Sequence, residues 1–203
     1  MTEKAFFDPK KTAFIIVDMQ RDFCRGGALA VPEADRLIKP INRLKRLFQS
    51  QGALVMASRC WHPQESVHFE DFAVHGVQNT KGAEFNPGLD LEGVMLISKG
   101  MDPAEQGFSV FDGRSENGNP FDAILEWNKI ETVLFGGVAL EYCVASSVRD
   151  ARGKGYRVVL VEDAVRAFDP KKRIDTLYEM VHGDVELVQC SEVIKKFFPK
   201  PKK

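Results

Sequence analysis

The stretch from Thr132 to Asp150, TVLFGGVALEYCVASSVRD, narrows the choice of folds more than any other part of the chain. Its apolar run, Val133 to Phe135, stops at Gly136 and Gly137, and a helix-period pattern begins around Tyr142 or Cys143. A short apolar run closed by glycines and followed by helical spacing is a buried strand feeding a helix. Cys143 falls at the first turn of that helix, where unpaired backbone N–H groups and the positive end of the dipole favour a thiolate. Two readings stand for it: a nucleophile, or a small buried side chain packing helix against sheet.

The same pattern recurs along the chain. Thr12 to Val17, TAFIIV, is a continuous apolar run ending in Asp18, as expected of a strand covered on both faces. From Glu33 to Gln51, Leu37, Ile38, Ile41, Leu44 and Leu47/Phe48 recur at helical spacing. Ala53 to Ala57 and Val94 to Ser98 are further buried strands, with Lys99 just past the end of the second. Gly100 to Pro120, rich in Gly, Asp, Ser and Asn, reads as a long loop of the kind usually kept for function. Phe121 to Trp127 is a short helix, Tyr156 to Val161 a strand, Lys171 to Val181 a helix, and Val185 to Val188 a last strand before a helical tail. Alternating strands and helices predict an α/β fold: a three-layer αβα sandwich around a mostly parallel central sheet of about six strands. With 203 residues and 44% hydrophobic content the chain suffices for one domain, 1–203, whose basic tail over about 195–203 is expected to fray.

In open parallel sheets, ligands bind outside the C-terminal strand ends. Asp18, Lys99, Cys143 and a cluster of histidines all lie just past the ends of different strands. Each alone is weak, because a strand-end Asp is commonly a turn residue and a lone Lys a solvated charge. Together they form a hydrolytic set. Cys143 needs a base beside it to become nucleophilic, Asp18 supplies one, and Lys99 holds and tunes that carboxylate. The backbone between Ala139 and Cys143 is placed to stabilise a developing oxyanion, at about 3–4 kcal/mol per donor.

A second constellation is Cys60-Trp61-His62 with the later His68 and His75. Residues 60 and 62 project from the same side of an extended segment, and a thiolate with two imidazoles suits a divalent metal, zinc foremost. The plainer alternative is three histidines in a polar surface loop. The formal net charge of -1 gives no field for nucleic acid or an anionic membrane. Four scattered cysteines without CxxC spacing read as reduced thiols of a cytoplasmic protein. A charged start without an apolar leader, and no run of membrane-spanning length, give the expectation of a soluble, unexported chain.

These residues resemble the isochorismatase-like cysteine hydrolases, and within them the nicotinamidase/pyrazinamidase branch. The likeness runs through FIIVDMQRDFCRGGALAV (14–31), WHPQESVHF (61–69), HGVQNTKGAEF (75–85), SKG (98–100), FSVF (108–111) and GGVALEYCVASSVRDA (136–151). It implies catalysis by Asp18, Lys99 and Cys143, a cis peptide at Val138-Ala139, and an oxyanion hole from the amides of Ala139 and Cys143. It implies substrate contacts at Phe23, Phe72 and Phe108, and a metal at Cys60, His62 and His75 with His68 as a further candidate. Three positions depart from the family pattern: Cys60 stands for an Asp, Phe72 for a Trp and Phe108 for a Tyr.

The implied activity is conversion of nicotinamide to nicotinate and ammonia, through a cysteine thioester, in NAD salvage. The alternatives are a metal-independent hydrolase of another small amide, ureido or carbamoyl compound, and a non-enzymatic ligand- or zinc-binding protein. A fourth is redox sensing through Cys24, Cys60 and Cys143. The expected partners are a small-molecule amide and further copies of the chain in a homo-oligomer.

Overall fold

Thr12–Val17 (β1) is buried at every position, as a strand covered on both faces must be. It is the central strand of seven in a computed structural model that describes residues 8–197. The others are β2 (Leu54–Cys60), β3 (Met95–Lys99), β4 (Arg114–Ser115), β5 (Thr132–Gly137), β6 (Arg157–Val165) and β7 (Glu186–Val188). Their order is β4-β3-β2-β1-β5-β6-β7, and every pair is parallel except β3 with β4. The six strands legible from apolar runs are all present. The seventh, β4, has no apolar run to announce it, being two residues paired antiparallel inside the segment expected to be loop.

Among the described residues five α-helices accompany the sheet: α1 (Ile38–Ser50), α2 (Phe121–Trp127), α3 (Ala145–Gly153), α4 (Pro170–His182) and α5 (Cys190–Phe197). The chain moves outward from β1 to β2 and β3 on one side, then resumes at β5 on the other. Right-handed crossovers on the two sides therefore put α1 and α3 on opposite faces. α1 buries Ile41, Leu44 and Phe48, and the ring of Phe48 stacks on Phe14 of β1 at 5.5 Å between centroids. The helix expected from Glu33 starts later, because Ala34–Leu37 winds as a 3-10 turn first. The basic stretch expected to fray lies mostly outside the described residues, which end at 197.

The reversal between β1 and β5 is the topological switch point, where strand ends leave a crevice. Gly137 closes β5 there at φ +122, and a Cβ on it would overlap the carbonyl oxygen of Val17. Gly137→Ala is therefore expected to cost about 1–3 kcal/mol, from a conformation that L residues rarely adopt and a backbone clash that no side-chain rotation relieves. A shift of the urea midpoint measures it; a midpoint equal to that of the parent would contradict the claim.

Candidate active site

Asp18 follows β1, Lys99 ends β3, and Cys143 lies in a π-helical turn, Leu140–Val144, between β5 and α3. The structure brings the three together. Lys99 Nζ lies 2.9 Å from Asp18 Oδ2 and 3.4 Å from Cys143 Sγ, and Asp18 and Lys99 are both fully buried. Lys99 also donates to the Gly107 carbonyl at 2.9 Å, and Ser58 Oγ donates to Asp18 Oδ1 at 2.7 Å. The carboxylate is thus fixed on both oxygens. Cys143 is held from behind, where Ser147 Oγ donates to its carbonyl at 2.7 Å. The Val138-Ala139 peptide is cis.

The charges form a closed set. Burial alone would pull the Lys99 ammonium down; Asp18, with the sulfurs of Cys143 and Cys60, outweighs it and holds Lys99 well above its usual value. Cys143 departs from the sequence expectation of a lowered thiol pKa. Its hydrogen bond with Cys60 and its burial push the thiol well above the ordinary value, while Lys99 pulls the other way. One ammonium already balances one carboxylate, so a free thiolate would add an uncompensated buried charge. The thiol can lose its proton cheaply if Asp18 takes it, because the set then keeps the same total charge.

Cys60 ends β2, and beyond it Trp61 turns half outward under the Arg59 guanidinium, 3.7 Å from its ring, while His62 turns in and is fully buried. The chain returns at residue 75. His62 N–H donates to Gly76 O at 2.9 Å, and Gly76 N–H donates to Asp22 Oδ2 at 2.8 Å. This places one donor atom each of Cys60, His62 and His75 within 4.8 Å of one another. His68 falls outside that set. Its Nδ1 meets Gln106 Oε1 at 3.1 Å, and its ring stacks between His62, at 4.5 Å, and Phe72, at 4.8 Å.

The donors are ready to bind a cation. Neither ring nitrogen of His62 has a hydrogen-bond partner despite complete burial. His75 Nδ1 lies 2.7 Å from Ala73 O; since a carbonyl can only accept, that nitrogen carries the proton and Nε2 keeps its lone pair. Burial holds His62 down at about 3 and His68 at about 4, with the neighbouring imidazoles and the Lys99 ammonium adding to the effect. Burial likewise lowers His75. All three imidazoles are neutral at pH 7, the form that ligates.

Phe23 packs edge-on to His75 at 5.1 Å, and Phe72 and Phe108 pack edge-on to each other at 5.8 Å. Tyr142, which the sequence reading passed over, meets Phe72 at 5.3 Å and stacks on Phe108 at 6.4 Å. The reading also missed Gln20 and Asp22, although both lie in the segment MQRDF that follows β1. Gln20 Nε2 donates to Cys60 O at 2.8 Å and Ala83 O at 2.9 Å, and Gln20 Oε1 accepts from Cys60 N at 2.7 Å. Gln20→Leu leaves those backbone groups buried and unpaired, so a stability loss of about 1–3 kcal/mol is expected. Urea denaturation checks it; an unchanged midpoint would remove Gln20 from the account of the site.

A family profile described as Isochorismatase domain matches residues 12–190. The nicotinamidase of Escherichia coli (strain K12) is 34% identical over 176 residues, covering 76% of this chain and 82% of that protein. The pyrazinamidase of Pyrococcus horikoshii, solved in complex with zinc, has 40% identity and a TM-score of 0.80, covering 88% of this chain and 99% of its own. PnC1 from L. infantum, solved in complex with nicotinate, has 29% identity and a TM-score of 0.81, covering 90% and 94%.

Proposed function

Since the chain belongs to the isochorismatase family and is a nicotinamidase-like amidohydrolase acting on a C–N amide bond, we propose that its substrate is nicotinamide. The observation that carries this reading is the meeting of Asp18, Lys99 and Cys143 at one switch point, 2.9 and 3.4 Å apart through Lys99 Nζ. Asp18 takes the Cys143 proton as the sulfur attacks the carboxamide carbon. The amides of Ala139 and Cys143 receive the charge that develops on the carbonyl oxygen. Asp18 returns the proton to the leaving nitrogen, ammonia departs, and a thioester on Cys143 remains. Asp18 then deprotonates a water that attacks the thioester; nicotinate leaves and the thiol is restored. Lys99 keeps the net charge of the buried set low throughout.

Phe23, Phe72 and Phe108 supply apolar faces for the pyridine ring, and Tyr142 extends them. Cys60, His62 and His75 would hold a divalent cation, with His68 packed against His62 rather than ligating. Such an ion would supply a Lewis-acidic anchor for a lone pair on the substrate ring. Release of nicotinate fits a role in NAD salvage in the cytoplasm. No helix among the described residues is long and apolar enough to cross a membrane.

The test is direct. Purified protein mixed with nicotinamide, with and without zinc, iron(II) or manganese(II), should release ammonia and nicotinate in equal amounts, and no release under any of these conditions would refute the reading. A second reading, hydrolysis of a ureido or carbamoyl amide without metal, draws on Cys60, whose sulfur already accepts from Lys99 at 3.1 Å. Activity on such a compound by protein shown to be free of metal would favour it.

A further inference from the structure

Cys60 belongs to two clusters at once. Its sulfur joins His62 and His75 in one ligand set and Asp18 and Cys143 in another, and it accepts a hydrogen bond from Lys99 Nζ at 3.1 Å. Asp18, the carboxylate of the second set, is already engaged on both oxygens. Asp18 Oδ1 is taken by Ser58 and Oδ2 by Lys99. The backbone of Cys60 is pinned on both sides by Gln20, and its thiol donates to Asp18 Oδ2 at 3.6 Å, so a buried scaffold holds the sulfur where the two sets meet.

We infer that Cys60 makes this centre a thiolate–bis-imidazole site that selects a borderline-soft cation, zinc or cobalt(II), over harder ions such as manganese(II), and that its sulfur links the bound ion to the catalytic set through Lys99. The inference rests on the reading that a divalent cation is held beside the substrate, and it concerns what the sulfur adds. Thiolates favour softer ions, whereas the carboxylate that the family pattern places here favours harder ones. Binding exchanges one proton for the metal: the Cys60 S–H bond breaks, a sulfur–metal bond forms, and the proton is released to solvent. Lys99 then donates to a metal-bound thiolate as well as to Asp18, a charge-assisted contact to a ligand atom of the kind that orients metal sites.

The experiment is a titration of chelator-stripped protein with cobalt(II) chloride, followed by near-ultraviolet absorbance. The inference expects a sulfur-to-cobalt charge-transfer band that saturates at one equivalent and is bleached by zinc. Cys143→Ala should keep the band and Cys60→Ser should lose it. Cys60→Asp should bind cobalt without the band, and its preference for zinc over manganese(II) should fall about 10-fold or more. The idea is overturned by any of three outcomes: cobalt bound without a band in the parent, a band that survives Cys60→Ser, or an unchanged zinc-to-manganese ratio in Cys60→Asp. Far-ultraviolet circular dichroism checks that the variants fold. If Cys60→Ser does not, X-ray absorption of the zinc-loaded parent decides, since a sulfur neighbour at about 2.3 Å is required. None of these measurements uses hydrolysis, so failure of the nicotinamide assay and failure of this inference are separately visible.

Discussion

Cys143→Ala is expected to lower kcat for ammonia release by a factor of about 10^4 to 10^6, the range seen when a covalent nucleophile is removed from a hydrolase that keeps its other groups. The expected loss is large because the proposed mechanism gives the sulfur two tasks. In that mechanism it attacks the carbonyl carbon and gives its proton to Asp18, a carboxylate already oriented by Ser58 and Lys99. Stability should change little by comparison, about 1 kcal/mol, since one sulfur atom is deleted from a site that is 7% exposed. A single-turnover assay together with a urea melt separates the two effects. Retention of hydrolysis within about tenfold of the parent, in a folded variant, would show that another group is the nucleophile.

Lys99→Met is expected to have the largest effect on stability. Both partners of the Lys99–Asp18 pair are fully buried, 2.9 Å apart, and removing the ammonium strands the carboxylate. Breaking such a pair costs about 3–5 kcal/mol. The double variant Asp18→Asn, Lys99→Met carries neither charge and should regain a substantial part of that loss while remaining inactive, because no base is left to receive the Cys143 proton. Urea denaturation of the parent, both single variants and the double variant gives the coupling energy directly. If the Lys99→Met change costs less than about 1 kcal/mol, or the double variant is no more stable than the single, the closed-charge account of the site fails.

Much of this architecture is written in local pattern. Apolar runs such as Thr12–Val17 and Val133–Phe135 are long enough, and bounded sharply enough, to mark strands buried on both faces, and the alternation with helical spacing leaves a parallel sheet as the economical arrangement. β4 escaped because two residues, Arg114 and Ser115, pair by backbone hydrogen bonds alone and carry no apolar signature. The start of α1 shifted because Ala34–Leu37 has helical spacing yet winds as a tighter turn, a choice spacing cannot register. Asp18, Lys99 and Cys143 were legible as candidates at strand ends, and the structure brings them together. The roles of Gln20 and Asp22 were not, because their partners, Cys60, Ala83 and Gly76, lie 40 to 63 residues away.

The expected thiolate at Cys143 shows the limit most clearly. Local reasoning sees a helix start and its dipole, which lower a thiol's pKa. The fold adds a hydrogen bond with a second sulfur, that of Cys60 from β2, and burial, and these push it up instead. The sequence by itself determined the layers, the strand ends and the residue types that stand there, because hydrophobic period and glycine placement act over a few residues. Tertiary structure alone decided that Cys60 stands between the histidines and Lys99, that His68 stacks outside the Cys60, His62 and His75 set, and that Cys143 meets the Asp18–Lys99 pair through Lys99 Nζ. Those outcomes depend on which strands become neighbours and on how little water reaches their ends, and solvation of a charge is a property of the whole enclosure.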